Sequence, residues 1–407
     1  MFEAVLRRLE PFAQEFTRHE KQLFLVGGAV RNLFLGRPAQ DFDFATDALP
    51  TEVLAFFRRV LPTGLQHGTV TVLFQGESYE VTTFRVDGKY TDGRRPDDVA
   101  FTPNLLDDLG RRDFTINALA LNLADGTLTD PHDGRGDLVR RTIRAIGDPG
   151  RRFDEDALRI LRLFRFASQL GFSIDPPTLA AVAPRRSKLG AVSKERIREE
   201  LTKAMAGPHP KLAWVPLGEM GFFQDLFSPL DPTPLSQAAL GVLEQLPSAL
   251  RWAFWFTVSC GKDRTLWESI LKNLTFSNTD RESILGPAKA WDFLQSSEAV
   301  ALISKRLIEA WGSRDRVSLG VEYLKALEEV GFWEDGKRLV TEVVRAAGSG
   351  EPIFLSDLAI TGKDVLSAGV PSGPRVGEVL KILQREVWQD PRLNRIEALL
   401  LRLRNLQ

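Results

Sequence analysis

Apolar residues recur along this chain with two different periods, and the change from one to the other divides it. Met1 to Phe16 is amphipathic and predicts a first helix. Leu23-Phe24-Leu25-Val26 is a continuous apolar run that predicts a buried strand ending in Gly27-Gly28. A helix after Gly28, an extended stretch at Asp41–Phe44 and a Pro50-initiated helix over Thr51 to Arg59 follow. Thr69 to Phe74 and Tyr79 to Phe84 are β-rich and are separated by a turn at Gly76. Asp87 to Pro103 is polar and rich in Gly and Pro, which predicts a mobile loop over a site. From about residue 150 the helical period holds to the end, with turns near Pro176-Pro177, Pro208, Pro229 and Gly348–Gly350. There is no internal repeat and no low-complexity segment. The pattern predicts an α+β head followed by an all-α remainder.

Composition narrows the class without naming a chemistry. A chain of 407 residues, 43% hydrophobic and 26% charged, is ordinary for a globular protein of two to four domains. A net charge of −1 argues against indiscriminate nucleic-acid binding but leaves room for a local basic stripe. Cys260 is the only cysteine, so neither an intramolecular disulfide nor a cysteine-based zinc site can form. Met1 to Phe16 carries Arg7, Arg8 and acids where a secretion signal would be apolar, and no apolar run is long enough to span a bilayer. The expected setting is a reducing cytoplasm with no membrane association. All eight Trp lie at or beyond Trp214; helical core packing is the favoured reading over base stacking.

The chemistry starts at Asp41-Phe42-Asp43. Two carboxylates two apart on an extended strand point to one face and can hold two hard divalent cations, here Mg²⁺. Such a pair clamps the attacking and leaving oxygens of a phosphoryl displacement. Gly27-Gly28 lets backbone N–H groups approach a triphosphate, the following helix N-terminus adds a favourable dipole, and Arg31 can bind phosphate oxygens.

Strand, Gly-Gly, Arg and Asp-x-Asp in this order resemble the nucleotidyltransferase signature of the DNA polymerase β superfamily, and in particular the class II tRNA nucleotidyltransferases, the CCA-adding enzymes. The family usually places Asp after the Arg; Asn32 stands here, so no metal role falls on it. Arg111-Arg112-Asp113-Phe114-Thr115-Ile116-Asn117-Ala118 matches the family's next block residue for residue. The resemblance implies that Arg112 contacts the incoming nucleotide, with Asp113 and Asn117 near the ribose and bracing the loop. Asp130 to Leu138 matches the segment that closes the head. His132-Asp133 is not an HD phosphohydrolase site, because His19, His67, His132 and His209 are the only histidines and none is suitably spaced.

Arg152 to Phe166 predicts one strongly helical run in which Asp156 and Arg159 are i,i+3 neighbours on one face. Cytosine and adenine each present an amino donor beside a ring-nitrogen acceptor. A carboxylate next to a guanidinium pairs with both and mismatches uracil and guanine, whose carbonyls would face the carboxylate. The block matches the family's EDxxRxxR motif, which implies that Asp156 and Arg159 form an amino-acid template and that Arg162 and Arg165 make further nucleotide contacts. Ser193 to Leu201 resembles the next family block and is expected to give structural support, with Ser193 as N-cap.

Gly64 to Val72 resembles the tRNA nucleotidyltransferases more than the bacterial poly(A) polymerases that share the head. Leu358 to Asp364 and Gly369 to Gly377 resemble the tRNA-facing tail. The full-length loop, with Tyr90, Asp92, Arg95 and Pro96, argues against a CC-adding enzyme. The expectation is a template-independent enzyme that adds C, C and A from CTP and ATP to the tRNA 3′ end, gripping the acceptor arm, with no DNA partner. An A-adding enzyme and, behind it, a poly(A) polymerase are the alternatives. The resemblance implies a polymerase β-like head with a mixed sheet over residues 1–143, a helical neck with the template at 144–205, a helical body at 206–290 and a helical, tRNA-binding tail at 291–407. Asp41 and Asp43 are the expected metal ligands, Gly28, Arg31 and Arg112 the phosphate and sugar contacts, and Glu80 a candidate third carboxylate.

Overall fold

The computed structural model describes residues 2–39, 41–87, 99–261, 263–289, 298–313, 316–332 and 336–406. The expected loop falls mainly on residues 88–98, so Tyr90, Asp92, Arg95 and Pro96 lie outside the described residues. The chain forms two compact units, Met1–Leu226 and Phe227–Gln407.

The first unit opens with helix α1 (Phe2–Arg18), whose Leu9, Phe12, Ala13 and Phe16 recur at helical spacing and are buried. Strand β1 (Leu23–Val26) is buried at every position, as its unbroken apolar run requires of a central strand. Helix α2 (Gly28–Phe34) then reverses the chain into β2 (Asp43–Thr46), which pairs antiparallel with β1. After α3 (Pro50–Phe56) come β3 (Val60–Gly64), β4 (Thr69–Phe74) and β5 (Glu77–Thr83). β6 (Arg85–Asp87) and β7 (Val99–Phe101) form a separate two-stranded ribbon. α4 (Leu105–Gly110), β8 (Ala120–Asn122), β9 (Leu128–Thr129) and α5 (Gly134–Arg140) complete the head.

The main sheet has seven strands in the order β3-β4-β5-β2-β1-β8-β9. It is mixed: β2 and β5 run parallel, and the other pairings are antiparallel. This topology sets the site. Antiparallel pairing puts Asp43, at the start of β2, opposite Val26, at the end of β1 and just before Gly27-Gly28. Parallel pairing of β2 with β5 puts Glu80 directly beside Asp43. The strand predicted at Asp41–Phe44 thus begins at Asp43, and Asp41 lies in a bend just before it.

Beyond the head, β10 (Thr142–Ile143) pairs parallel with β11 (Ser173–Ile174) around α6 (Pro149–Glu155) and α7 (Leu158–Leu170). α8 (Pro176–Ala180) and α9 (Lys194–Ala206) follow, and α9 packs along α7. The single helix predicted over Arg152–Phe166 is therefore two helices, broken at Asp156, whose backbone is extended (φ −143°, ψ 105°). The break has a local cause: Asp156 Oδ1 accepts from the Leu158 N–H, and that short side chain-to-backbone bond competes with the helical ladder. α10 (Lys211–Glu219) and α11 (Phe222–Leu226) close the unit.

In the second unit every described regular element is helical, from Gln237–Gln245 to Ile396–Arg404. Trp252, Trp255, Phe256 and Trp267 pack ring against ring. Of the eight Trp in the chain, Trp214, Trp252, Trp255, Trp267, Trp311 and Trp388 are buried, as core packing predicts. A smaller core joins Leu358, Ile360, Val365, Val379, Leu383, Val387, Leu399 and Leu403. Among the described residues no helix is long and apolar enough to cross a membrane.

Phe12 ties the head together: its ring meets those of Phe16, Phe44, Phe57, Phe74 and Tyr79, and Phe44 follows Asp43 directly in β2. Phe12→Ala is expected to destabilise the head by about 3–5 kcal/mol, because the cavity left among rigid rings cannot collapse. Urea unfolding checks this; a loss below about 1 kcal/mol would mean the site strand is anchored elsewhere.

Candidate active site

One cleft of about 720 Å³ opens at the sheet end where β1 finishes and β2 begins. Its lining includes Gly28, Arg31, Asp43, Glu80 and Arg112 from the head, and Asp156, Arg159, Arg162 and Arg165 from the α6–α7 region. Asp41 is exposed beside it and is not part of the lining. Residues up to 170 positions apart in sequence, from Val26 to Arg196, are thereby brought to one surface.

Gly27 takes a left-handed φ of +65°. A Cβ on it would stand 3.3 Å from Arg112 Nη1, and a Cβ on Gly28 would stand 3.4 Å from Arg31 Nη2. The two glycines thus leave the space into which both guanidiniums extend.

At the acidic end, Phe42 is buried while Asp41 and Asp43 both reach solvent. Arg8 stacks over the Phe42 ring at 5.2 Å and bonds Glu77, which pins this segment from behind. Partial burial raises the Asp43 pKa, Glu80 and Asp41 push the same way, and Arg112 opposes them. A divalent cation would relieve that crowding of like charge. Among the described residues no cluster of three or more His, Cys, Asp or Glu forms a metal cage. Carboxylate oxygens suit a hard cation that completes its shell with water and phosphate oxygens.

The basic wall is held by buried acids. Asp108, 1% exposed, accepts from Arg111 at 2.7 Å and from Arg112 at 3.0 Å. Burial alone would raise the Asp108 pKa; the two arginines outweigh it and lower the value. Asp113 Oδ2 accepts from both Nε and Nη2 of Arg162, at 2.8 and 2.6 Å, and Oδ1 accepts from Asn117, whose own side-chain oxygen accepts from Arg31. Arg165 is held by the buried Glu200 of α9. Arg31, Arg162 and Arg165 also surround the Phe166 ring, at 5.1, 5.5 and 4.0 Å. Burial, then repulsion from Arg165, lowers the Arg31 pKa to about 10. This end of the cleft is poised for an anion.

The base-reading candidates are anchored as strongly. Arg159, 8% exposed, donates through Nη1 to Glu155 at 2.7 Å and to the Arg152 carbonyl at 3.2 Å, and through Nη2 to the Arg111 carbonyl at 3.0 Å. Asp156 Oδ2 accepts from Arg196 Nη2 at 2.9 Å. Asp108, Glu155, Arg196 and Glu200 were not singled out from the sequence. Spacing could have found Glu155, four residues before Arg159, and Asp108, four before Arg112; α9 gives no local signal, because its contacts are tertiary.

Residues 23–144 match the family described as Poly A polymerase head domain, residues 171–233 that described as "Probable RNA and SrmB- binding site of polymerase A", and residues 248–402 tRNA nucleotidyltransferase domain 2. The head is thus of the polymerase β-like nucleotidyltransferase class, whose catalysis is metal-dependent. A CCA-adding enzyme of Levilactobacillus brevis is 36% identical over 390 residues, covering 93% of this chain and 92% of that one. That of Limosilactobacillus fermentum is 35% identical over 408 residues, 98% and 97% of the two chains. The crystal structure of the Bacillus stearothermophilus CCA-adding enzyme in complex with CTP superposes with a TM-score of 0.78 at 30% identity, covering 99% of this chain and 97% of that one. The chain belongs to the CCA-adding enzymes, the class II tRNA nucleotidyltransferases.

Asp113 gives the site an acid-dependent keystone. Burial would raise its pKa, but Arg162 and Asn117 bring it to about 2 from an ordinary 3.8. A depressed folded-state value stabilises above pH 4 and is lost as pH falls. The linkage is worth about 2 kcal/mol at neutral pH, of which about 1 kcal/mol is gone by pH 3. Asp113→Asn should remove this part of the pH dependence, read from urea unfolding between pH 7 and 3. An unchanged acid slope would contradict the assignment.

Proposed function

We propose that this cleft selects CTP and ATP by side chains alone and adds C, C and A to the 3′ end of tRNA. The carrying observation is the state of Arg159 and Asp156 on the wall that also holds Asp43. A guanidinium has five N–H donors, and the three bonds of Arg159 to protein acceptors leave donors for a ring nitrogen. Asp156 accepts one bond at each oxygen, and a carboxylate has about four lone-pair sites, so acceptor capacity remains for a base amino group. Cytosine and adenine satisfy both; uracil and guanine set a carbonyl against the carboxylate. The CTP complex of the Bacillus stearothermophilus relative supports the substrate class. All three relatives compared are CCA-adding enzymes, which favours full addition over A addition alone.

Gly28, Arg31, Arg112, Arg162 and Arg165 would bind the triphosphate and sugar, with Arg31 and Arg112 in the space the glycines leave. Asp41 and Asp43 would hold the metal, read as Mg²⁺, with Glu80 adjacent as a third carboxylate. When bound, the metal would acidify the primer 3′-hydroxyl and neutralise charge on the triphosphate. The 3′-oxygen forms its bond to the α-phosphorus, the bond to the leaving oxygen breaks, pyrophosphate departs and the hydroxyl proton passes to solvent. The helical body at 206–290 and tail at 291–407 would hold the tRNA mainly through phosphates and shape, in the cytoplasm.

Asp43→Ala should abolish incorporation of CTP and ATP alike while tRNA binding stays near normal in a filter assay. Near-normal turnover with Mg²⁺ would overturn the metal assignment. Arg159→Ala should let UTP or GTP enter at rates closer to CTP, by roughly tenfold to a hundredfold, as loss of a paired hydrogen-bonding arrangement predicts. If nucleotide selectivity in kcat/KM stays unchanged and only the overall rate falls, base choice is made elsewhere.

A further inference from the structure

Asp156 is badly placed to be rigid by itself. It sits at the break between α6 and α7 with an extended backbone, its N–H closing the last bond of α6 to the Arg152 carbonyl, so helical geometry does not set the direction of its side chain. Its capping bond to the Leu158 N–H holds Oδ1 and leaves the carboxyl free to swing about that contact. The second restraint comes from another helix. Arg196, in the first turns of α9, reaches across 40 residues of sequence and donates through Nη2 to Oδ2 at 2.9 Å. Arg196 lines the same cleft as Asp156 and Arg159. Its Nη1 is shielded from water and has no hydrogen-bond partner among the described residues. A half-buried guanidinium with one such nitrogen is costly to keep for packing alone, and an apolar residue would fill the same helix–helix contact without that cost. One turn further along α9, Glu200 holds Arg165, so one face of α9 addresses two residues of the cleft.

We propose that Arg196 is a positioning residue for base selection: it fixes the Asp156 carboxylate with its second oxygen turned as an acceptor toward the base amino group. The inference rests on the proposed reading of Asp156 and Arg159 as the template. A guanidinium only donates, so Oδ2 meets it as an acceptor, and the remaining lone pairs keep a fixed direction. Selection against uracil depends on that direction. A carboxyl free to rotate can turn away from the O4 carbonyl of uracil and remove the mismatch. Arg196 therefore acts through Asp156 and needs no contact with the nucleotide.

The test measures kcat/KM for CTP and UTP on tRNA lacking its 3′ CCA, in the full-length enzyme and in Arg196→Ala, Arg196→Lys, Asp156→Ala and the Arg196→Ala/Asp156→Ala double variant. Arg196→Ala should reduce the CTP-over-UTP preference by about tenfold, on the scale of one misplaced polar contact. Arg196→Lys, which restores a donor and a charge, should recover most of it even if both variants lose some thermal stability. The double variant should discriminate no worse than Asp156→Ala. If Asp156→Ala relaxes selection but Arg196→Ala lowers only the overall rate, the positioning role is overturned while the template stands. If Asp156→Ala leaves selection intact, the template reading itself fails, and the role of Arg196 fails with it.

Discussion

Eight arginines face one cleft, and the first unit is organised around keeping them there: Arg31, Arg85, Arg111, Arg112, Arg159, Arg162, Arg165 and Arg196. Packed this closely, like charges repel and lose hydration, which the lowered Arg31 pKa records. The fold answers with carboxylates more deeply buried than the arginines they hold. Asp108 takes Arg111 and Arg112, Asp113 takes Arg162, and Glu200 takes Arg165. Each acid neutralises part of the wall from behind and leaves the open side of the cleft positive. A triphosphate then meets donors already aimed and already desolvated, so little reorganisation opposes binding.

On the proposed reading, the same arrangement separates two tasks. At the sheet end, Asp43 and Glu80 are neighbours by strand register, so backbone pairing fixes the acidic pair. At the helical end, Asp156 and Arg159 are fixed by side-chain bonds to Glu155, Arg196 and backbone carbonyls. The chemical step needs an anchor indifferent to the base, and a β-ladder supplies it. Base choice needs directed donors and acceptors, and a hydrogen-bonded network supplies them. The Arg111 carbonyl, which receives Arg159, belongs to the residue next to Arg112, so the two ends share one backbone segment.

Much of this was legible in the sequence. The apolar run Leu23–Val26, the Gly-Gly turn and the switch to helical periodicity gave the α+β head and the helical remainder, because local pattern dictates them. The motif residues Arg31, Asp43, Arg112, Asp156 and Arg159 do meet in one cleft. Two features were misjudged for local reasons: β2 starts at Asp43, not Asp41, and the helix over Arg152–Phe166 breaks where Asp156 caps its own backbone. Glu200 and Arg196 were not legible, since their partners lie on other elements and the sequence period of α9 reports only its buried side. Ser193 to Leu201 read as scaffold, yet two of its side chains bond cleft residues.

The central claim is that protein side chains, without a nucleic-acid template, choose the base. Equilibrium binding of CTP, ATP, UTP and GTP by calorimetry, with no RNA present, isolates that choice from chemistry and from tRNA. The account predicts that CTP and ATP bind more tightly than UTP and GTP by roughly tenfold or more, the margin that unpaired polar groups impose on a mismatched ligand. Equal affinity for all four nucleotides would contradict it, because the triphosphate alone would then account for recognition in this cleft.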